Sequence, residues 1–506
     1  MNNGQKKEME EKLYRTDLGC GKITEVVFLE KEKEPYSDEG IAMREIPARC
    51  NISVTLKPAA ESDIKMVISL PVENWNGRYL GTGNGGAAGT IVKQSLDAGA
   101  ARGFATANTD LGTVADAEKM NTQRERWKDF GHRATHLMTL TAKKLIYAFY
   151  GRDAEKSYFV GGSTGGQQAI REAQRYPEDY DGIIAFSPAY NRVNLHQKFI
   201  WEMYITSGER LGIFQSEQIA AVKDRVLERF VKVCGGAPGD DFLSYPGKAG
   251  FTADDVDSVF AGLGLSDKQM EVLKGIYSVP KIPMTESGIY YPQALGCESA
   301  VLSLSYLYRD LFQMLCFLHQ WAFGKEFDCA EYDFEKDYIK MAEMMNDDFN
   351  AVEPDLTAFK ERGGKMILIT GSTDCLIPYT DGKRYYENVI KAIGGIEKTT
   401  DFFRYFHIPG LGHCTGGRGI QEIGNLLGIK SIPLDAEHDV LEALIAWAEN
   451  GEAPEELLPV GFQDEDMKGV VDMERPVYPY PYETEYIGGD RKKKESFRRK
   501  LGDGVY

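Results

Sequence analysis

The chain has 506 residues, 42% of them hydrophobic and 11% aromatic, and a formal net charge of −18. That length exceeds one simple core, so one large domain with a sizeable insertion, or two domains, is expected. The negative charge would repel phosphates and excludes nucleic acid as an expected partner. The basic cluster Arg491–Lys494 with Arg498, Arg499 and Lys500 reads as a solvated tail. Residues 1–12 are polar, with no apolar stretch of the kind a secretory signal needs, so a cytoplasmic location is expected. The eight cysteines are scattered and none forms C-x-x-C. No zinc site is expected, and the thiols are expected to be reduced.

Residues 13–80 read as strands and turns. From Cys50 to Leu56 apolar and polar residues alternate, as in a half-buried strand, and Ile64–Leu70 is a second, more continuously apolar one. Arg78–Leu80 leads into Gly81-Thr-Gly-Asn-Gly-Gly86, a G-x-G-x-x-G match. A dinucleotide-binding loop would need a following helix and an acid ending the next strand, and Asp110 stands at a tolerable distance. The loop comes after several β segments, however, which suits a different use: a glycine loop after an early strand donates one amide of an oxyanion hole. A helical pattern over Ala134–Tyr150 follows.

Tyr158–Val160 is an apolar strand, and a helical pattern begins near Gln167. Between them lies Gly161-Gly162-Ser163-Thr164-Gly165, a G-x-S-x-G turn. A serine on a sharp strand-to-helix turn needs glycines two residues either side, because Cβ atoms there would clash. Ser163 is therefore the candidate nucleophile, and the Thr164 N–H a candidate oxyanion donor. Asp181–Phe186 reads as the next parallel strand. This alternation predicts a parallel sheet covered by helices.

Residues 191–354 break the alternation. They are mostly helical in pattern and rich in large side chains, Phe199, Trp201, Tyr204 and Tyr290 among them. Ordinary core packing accounts for most of these; as a group they suggest a lid. The apolar stretch Val301–Phe323 carries Arg309, Asp310 and His319, which argues for a buried or lid helix over a membrane span. The sheet resumes at Gly364–Gly371, followed by Asp374, a helix over Asp381–Ile393 and a strand over Asp401–His407. A Gly-rich loop with His413 follows, then a helix near Asp439–Asn450. The stretch Pro476–Tyr482 is too proline-rich for regular structure and is expected to lie along the surface.

A serine hydroxyl needs a base, and the base needs an orienting acid. The chain order Ser163, Asp374, His413 is that of an α/β-hydrolase triad, with Asp381 as the reserve acid. Of the seven histidines, His407 sits in the strand and His438 at a helix start, while the other four precede the acid.

The chain resembles the tannase and feruloyl esterase family. The resemblance rests on Trp75-Asn-Gly-Arg-Tyr-Leu80 with Gly83-Asn-Gly-Gly86, Asp129-Phe-Gly-His-Arg-Ala134 and Ser157–Gly166 with Glu172–Gly182. It extends through Asp374 with Ile377-Pro378 to Pro409-Gly-Leu-Gly-His-Cys414. It implies an α/β-hydrolase fold with a large, mainly helical lid insertion: core residues 1–190 and 355–506, lid 191–354. It implies a serine esterase for small aromatic, phenolic-acid esters, with Ser163, Asp374 and His413 as triad. Thr164 and Gly85 or Gly86 would be oxyanion donors, and Trp201, Tyr204 and Tyr290 lid contacts. No cofactor and no membrane partner is implied. An acyltransferase on the same scaffold, or an oxidoreductase using Gly81–Gly86, are the alternatives. Two departures follow from the resemblance. The family's cysteine before the nucleophile, which bridges to the one after the histidine, is Gly162 here, while Cys414 remains; a Cys375–Cys414 pair is the other conceivable bridge. The family's Asp-rich calcium loop is reduced to Asp240 and Asp241.

Overall fold

The computed structural model describes residues 1–35, 43–206, 214–279, 292–424, 432–463 and 470–504. A nine-stranded sheet forms its centre: Gly21–Leu29 (β1), Arg49–Leu56 (β2), Ile64–Pro71 (β3), Arg78–Thr82 (β4), Ala105–Thr109 (β5), Lys156–Gly162 (β6), Gly182–Phe186 (β7), Lys365–Gly371 (β8) and Phe403–Ile408 (β9). In space the order is β1-β2-β3-β5-β4-β6-β7-β8-β9. The pairs from β1 to β5 are antiparallel, and from β5 to β9 every pairing is parallel. The carboxyl ends of the parallel strands therefore gather on one edge, where open α/β sheets bind ligands.

Alternation decides which helix each strand residue meets. Phe159, Met366 and Leu368 face the helices Ala134–Tyr150 (α1), Thr164–Arg175 (α2) and Tyr379–Ile393 (α6). Tyr158, Val160, Ile367 and Ile369 face the opposite helix, Val440–Asn450 (α7). Both faces being covered, β6 to β8 carry continuous apolar runs rather than alternating ones, and β9 is buried throughout although it includes Arg404 and His407.

Between β7 and β8 the chain forms mainly helices, among them Arg192–Thr206 (α3), Glu298–Phe323 (α4) and Lys336–Phe349 (α5). In α4, Phe317, Leu318 and Trp321 are buried. No helix of the described residues is long and apolar enough to cross a membrane.

The carboxyl-terminal stretch departs from expectation. Val477 exchanges backbone hydrogen bonds with Leu457 (2.8 and 2.9 Å), and the Tyr480 N–H donates to Tyr405 O of β9 at 2.8 Å. The stretch is thus packed against the sheet rather than laid along the surface. Its prolines are tolerated because it runs beside an edge strand, where a missing N–H interrupts no central ladder. Beyond it Tyr482–Tyr486 pairs with Phe497–Leu501. The basic residues of this hairpin are not a free tail. Arg491, Lys492, Arg498, Arg499 and Lys500 each meet an acidic side chain of the same chain.

Arg475 anchors this segment to the helical insertion. Its two Nη atoms donate to the two carboxylate oxygens of Asp240 at 2.9 and 3.0 Å, with both side chains buried. Asp240 Oδ2 also accepts from Ala237 N at 2.8 Å. A calcium ion requires roughly six to eight oxygen ligands. Here the buried carboxylate already serves a guanidinium, and the neighbouring Asp241 is half exposed, so the residues present do not fit calcium. Arg475→Ala would leave the buried carboxylate with only Ala237 N and the longer, more exposed contact to Arg491 Nη1 at 3.4 Å, and is expected to cost about 3 kcal/mol. Urea unfolding should show this as a lower midpoint, while a calcium chelator should leave the wild-type midpoint unmoved.

Candidate active site

Ser163 sits at φ 58° and ψ −115° between β6 and α2. A non-glycine residue there costs of order 1–3 kcal/mol, so the surroundings must impose it. Three backbone bonds do: Ser163 N to Phe186 O (3.0 Å), Gln167 N to Ser163 O (3.1 Å) and Ala189 N to Ser163 O (3.0 Å). A Cβ on Gly161 would lie 2.7 Å from Gly165 Cα. The two flanking glycines thus touch, as the G-x-S-x-G spacing requires.

The Gly81–Gly86 loop is fastened onto this turn. A Cβ on Gly83 would lie 2.4 Å from Gly165 Cα. Gly165 N donates to Asn84 O at 2.7 Å, and Asn84 N to Gln168 Oε1 at 2.9 Å. Gly83 thus serves backbone-to-backbone packing rather than a pyrophosphate, while Gly81 makes room for the Tyr180 and Phe159 side chains. Asp110, which would have to hold a ribose, instead accepts from Lys65 N (2.9 Å) and Gly112 N (2.7 Å). Burial pushes its carboxyl up to about 6. The oxidoreductase alternative loses its site. The N–H groups of Thr164, Gly85 and Gly86 meet no protein acceptor among the described residues, so they remain available to an oxyanion.

Asp374 follows β8 and is 1% exposed. Its Oδ1 accepts from the N–H groups of Leu376 and Ile377, both at 2.9 Å. Its Oδ2 meets His413 Nδ1 at 2.9 Å. Burial alone would raise this carboxyl; the His413 charge and the amides outweigh it and hold the group below its ordinary range. The same balance acts on His413. Burial opposes its charge, Asp374 overrides that, and the imidazole is held well above its usual range. The acid loop and the histidine loop are tied together by Gly410 N to Ser372 Oγ (2.8 Å) and Thr373 N to Leu411 O (3.1 Å).

Ser163, His413, Gly85 and Gly86 line one cavity of about 280 Å³, small even for a small-molecule site. No hydrogen bond joins Ser163 Oγ to His413, and such contacts often tighten only when substrate binds. The rest of the wall is largely apolar, with Phe186, Phe199, Leu315, Phe317 and Ile377 among its members.

Several expected contributors lie elsewhere. The reserve acid Asp381 accepts from Tyr190 OH at 3.0 Å inside α6, with burial raising it to about 7, and makes no contact with His413. His407 is buried, with Nε2 bonded to Ser244 O at 2.8 Å. Trp201 donates to Gly275 O at 2.8 Å and stacks on Tyr204, which is 44% exposed; neither lines the cavity. Tyr290 falls outside the described residues. Helical phase explains the error. Arg192, Leu195, His196 and Phe199 of α3 reach the cavity at i, i+3, i+4 and i+7. Two residues beyond Phe199, Trp201 is turned away by about 200°. The periodicity was readable in the sequence, but aromatic bulk is a weaker guide than phase.

All eight cysteines are unbridged. Cys375 and Cys414 do not pair, and Cys414 Sγ faces the glycine before the nucleophile. A Cβ on Gly162 would lie 2.7 Å from that sulfur and 3.3 Å from Cys414 Cβ, close to the roughly 3.5–4.5 Å between Cβ atoms of a bridge. The socket of a disulfide remains with one half removed. Wild-type activity is therefore expected to survive dithiothreitol. Gly162→Cys should lose two free thiols on oxidation by thiol titration, and its thermal midpoint should become sensitive to reductant.

Strand order, nucleophile turn and the acid–histidine pair define an α/β-hydrolase. The family profile for tannase and feruloyl esterase matches residues 50–300 and 316–500. The chain belongs to the tannase and feruloyl esterase family and is a carboxylic ester hydrolase. It is 31% identical to a probable feruloyl esterase B-2 of Aspergillus flavus, over 82% of this chain and 81% of that one. It is 29% identical to an uncharacterized esterase of Xanthomonas campestris pv. campestris, over 89% and 84%. The crystal structure of an esterase from Aspergillus oryzae superposes with a TM-score of 0.83 at 26% identity, covering 97% of this chain and all of that one.

Proposed function

We propose that this protein hydrolyses esters of aromatic carboxylic acids, with phenolic acids of the ferulate and gallate type as the acyl group, through an acyl-enzyme on Ser163. The observation that carries the mechanism is the position of Asp374. One of its oxygens is saturated by two amides and the other is committed to His413 Nδ1. That leaves Nε2 as the proton acceptor, beside the cavity that Ser163 lines.

Ser163 Oγ attacks the ester carbonyl and passes its proton to His413 Nε2. Asp374 fixes the imidazole's tautomer and stabilises the imidazolium. The carbonyl oxygen becomes an oxyanion, met by the unused amides of Thr164 and of Gly85 or Gly86. His413 then protonates the departing alkoxide, and the alcohol leaves. A water molecule, deprotonated by the same histidine, releases the acid and restores Ser163. Each step uses protein groups alone, so no cofactor is required. The helical insertion 191–354 acts as the lid, and its cavity-facing residues select the acyl group. The apolar, ring-lined wall and the feruloyl esterase named among the relatives support the aromatic preference.

The test is hydrolysis of methyl ferulate, methyl gallate and a short-chain nitrophenyl ester by the purified protein. Turnover of an aromatic-acid ester at a kcat/KM above that of the nitrophenyl ester supports the reading. Cleavage of the nitrophenyl ester alone would end the aromatic assignment.

A further inference from the structure

The first residue of α3, Arg192, is 2% exposed and reaches the wall of the catalytic cavity. It pairs with no carboxylate among the described residues. Its Nε donates to Gln167 Oε1 at 2.7 Å and its Nη2 to Thr164 Oγ1 at 3.0 Å. The guanidinium lies over the rings of Phe130 (5.5 Å) and Phe317 (5.9 Å). A buried cation without a counter-ion is costly, and burial draws its pKa down to about 9. Such a charge persists only where something gives it a use.

Thr164 supplies the link. Its hydroxyl has one proton, and that proton is committed to Gly86 O at 2.6 Å. The oxygen's lone pairs are then left to accept from Arg192. The result is a chain of donors, from Arg192 to the Thr164 hydroxyl to the Gly86 carbonyl. It spans the two backbone segments that carry the unused amides. Gln167, the guanidinium's other partner, is tied by its Nε2 to Phe349 O at 2.6 Å, at the end of α5. One side chain from the insertion thus fixes both sides of the anion site and places an uncompensated positive charge behind it.

We propose that Arg192 is a positioning residue for the oxyanion site, locking the Thr164 and Gly85–Gly86 amides in register. Its unpaired charge is complemented by the anion that forms when Ser163 attacks. Because that anion exists in the tetrahedral state and not in the bound ester, the effect falls on kcat rather than KM. The inference rests on the esterase reading of the site.

Its test compares Arg192→Gln, Arg192→Lys, Thr164→Val and the Arg192→Gln/Thr164→Val double variant on one ester substrate, with thermal unfolding of each. Arg192→Gln is expected to lower kcat by about 10- to 100-fold, comparable to or milder than the loss of one direct oxyanion donor, with KM moving less than about threefold. A boronic-acid mimic of the tetrahedral state should weaken in the same proportion. Arg192→Lys should recover part of the loss, since it restores charge without the two-point geometry. In the Thr164→Val background the Arg192→Gln effect should shrink, because the two residues act in one chain. A kcat within twofold of wild type, a rise in KM alone, or strictly additive effects would overturn the proposal. Should Arg192→Gln not fold, Arg192→Lys and Thr164→Val carry the same comparison of kcat, KM and mimic affinity. A Ser163→Ala control separates the two levels. If it keeps activity, the esterase reading of the site fails. If it is inactive while Arg192→Gln matches wild type, only the role of Arg192 fails.

Discussion

Ser163→Ala is expected to lower kcat for ester hydrolysis by about 10⁴- to 10⁶-fold, the scale seen when a serine hydrolase loses its nucleophile. The fold should be unharmed. The turn is imposed by the three backbone bonds at Ser163 and by the contact between Gly161 and Gly165, none of which uses the hydroxyl. Alanine must still adopt the strained φ, so the thermal midpoint should stay near that of wild type. Residual turnover would come from the anion site and substrate binding alone. Activity within tenfold of wild type at an unchanged midpoint would remove Ser163 from the chemistry.

Asp374→Asn has the next largest expected effect, about 10⁴-fold on kcat, because the amide favours the wrong imidazole tautomer. It also carries a pH signature of definite sign. His413 must be neutral to accept the serine proton, and Asp374 holds its pKa well above the ordinary 6.5. The acid limb of kcat/KM in the wild type should therefore lie above that value. Removing the carboxylate's charge takes away the main attraction that outweighs burial, so the limb should move to lower pH even as the plateau falls. A pH–rate profile of both proteins on a nitrophenyl ester checks this. A limb that stays in place would mean that something other than the Asp374 charge sets the histidine's titration.

The parts of this molecule legible in its sequence were those where local chemistry and tertiary role coincide. β6, β8 and β9 are buried on both faces, so β6 and β8 carry continuous apolar runs and β9 a mostly aromatic one, with Gly, Ser or Asp close to their ends. Asp374 and His413 each follow such a strand, and chain order did the rest. α1 ends at Gly151 in the left-handed region, as a helix bounded by glycine should. Where two roles compete, the sequence was a poorer guide. The helix Asn3–Tyr14 buries only Leu13, so its polar sequence carries almost no amphipathic signal. The prolines of 476–482 suggested irregular chain lying along the surface, but an edge position makes them compatible with burial. Arg192 was passed over because an arginine at a helix start looks like surface. Only the fold reveals that the helix begins inside the site.

The clasp between Arg475 and Asp240 joins residues 235 apart in the chain. Nearby, Lys248 pairs with Glu483, and Thr484 N donates to Tyr245 OH at 2.6 Å, so the same segment grips the insertion at three points. On a ribosome elongating at about 5–20 residues per second, the insertion would emerge roughly 10–50 s before the segment that fastens it. During that interval Asp240 has no guanidinium to answer it, and the helical region must await the segment that carries Arg475. The vulnerable period of this enzyme's life is thus its synthesis. Slowing translation ahead of residues 475–484, or cutting the chain before them, should lower the yield of soluble protein.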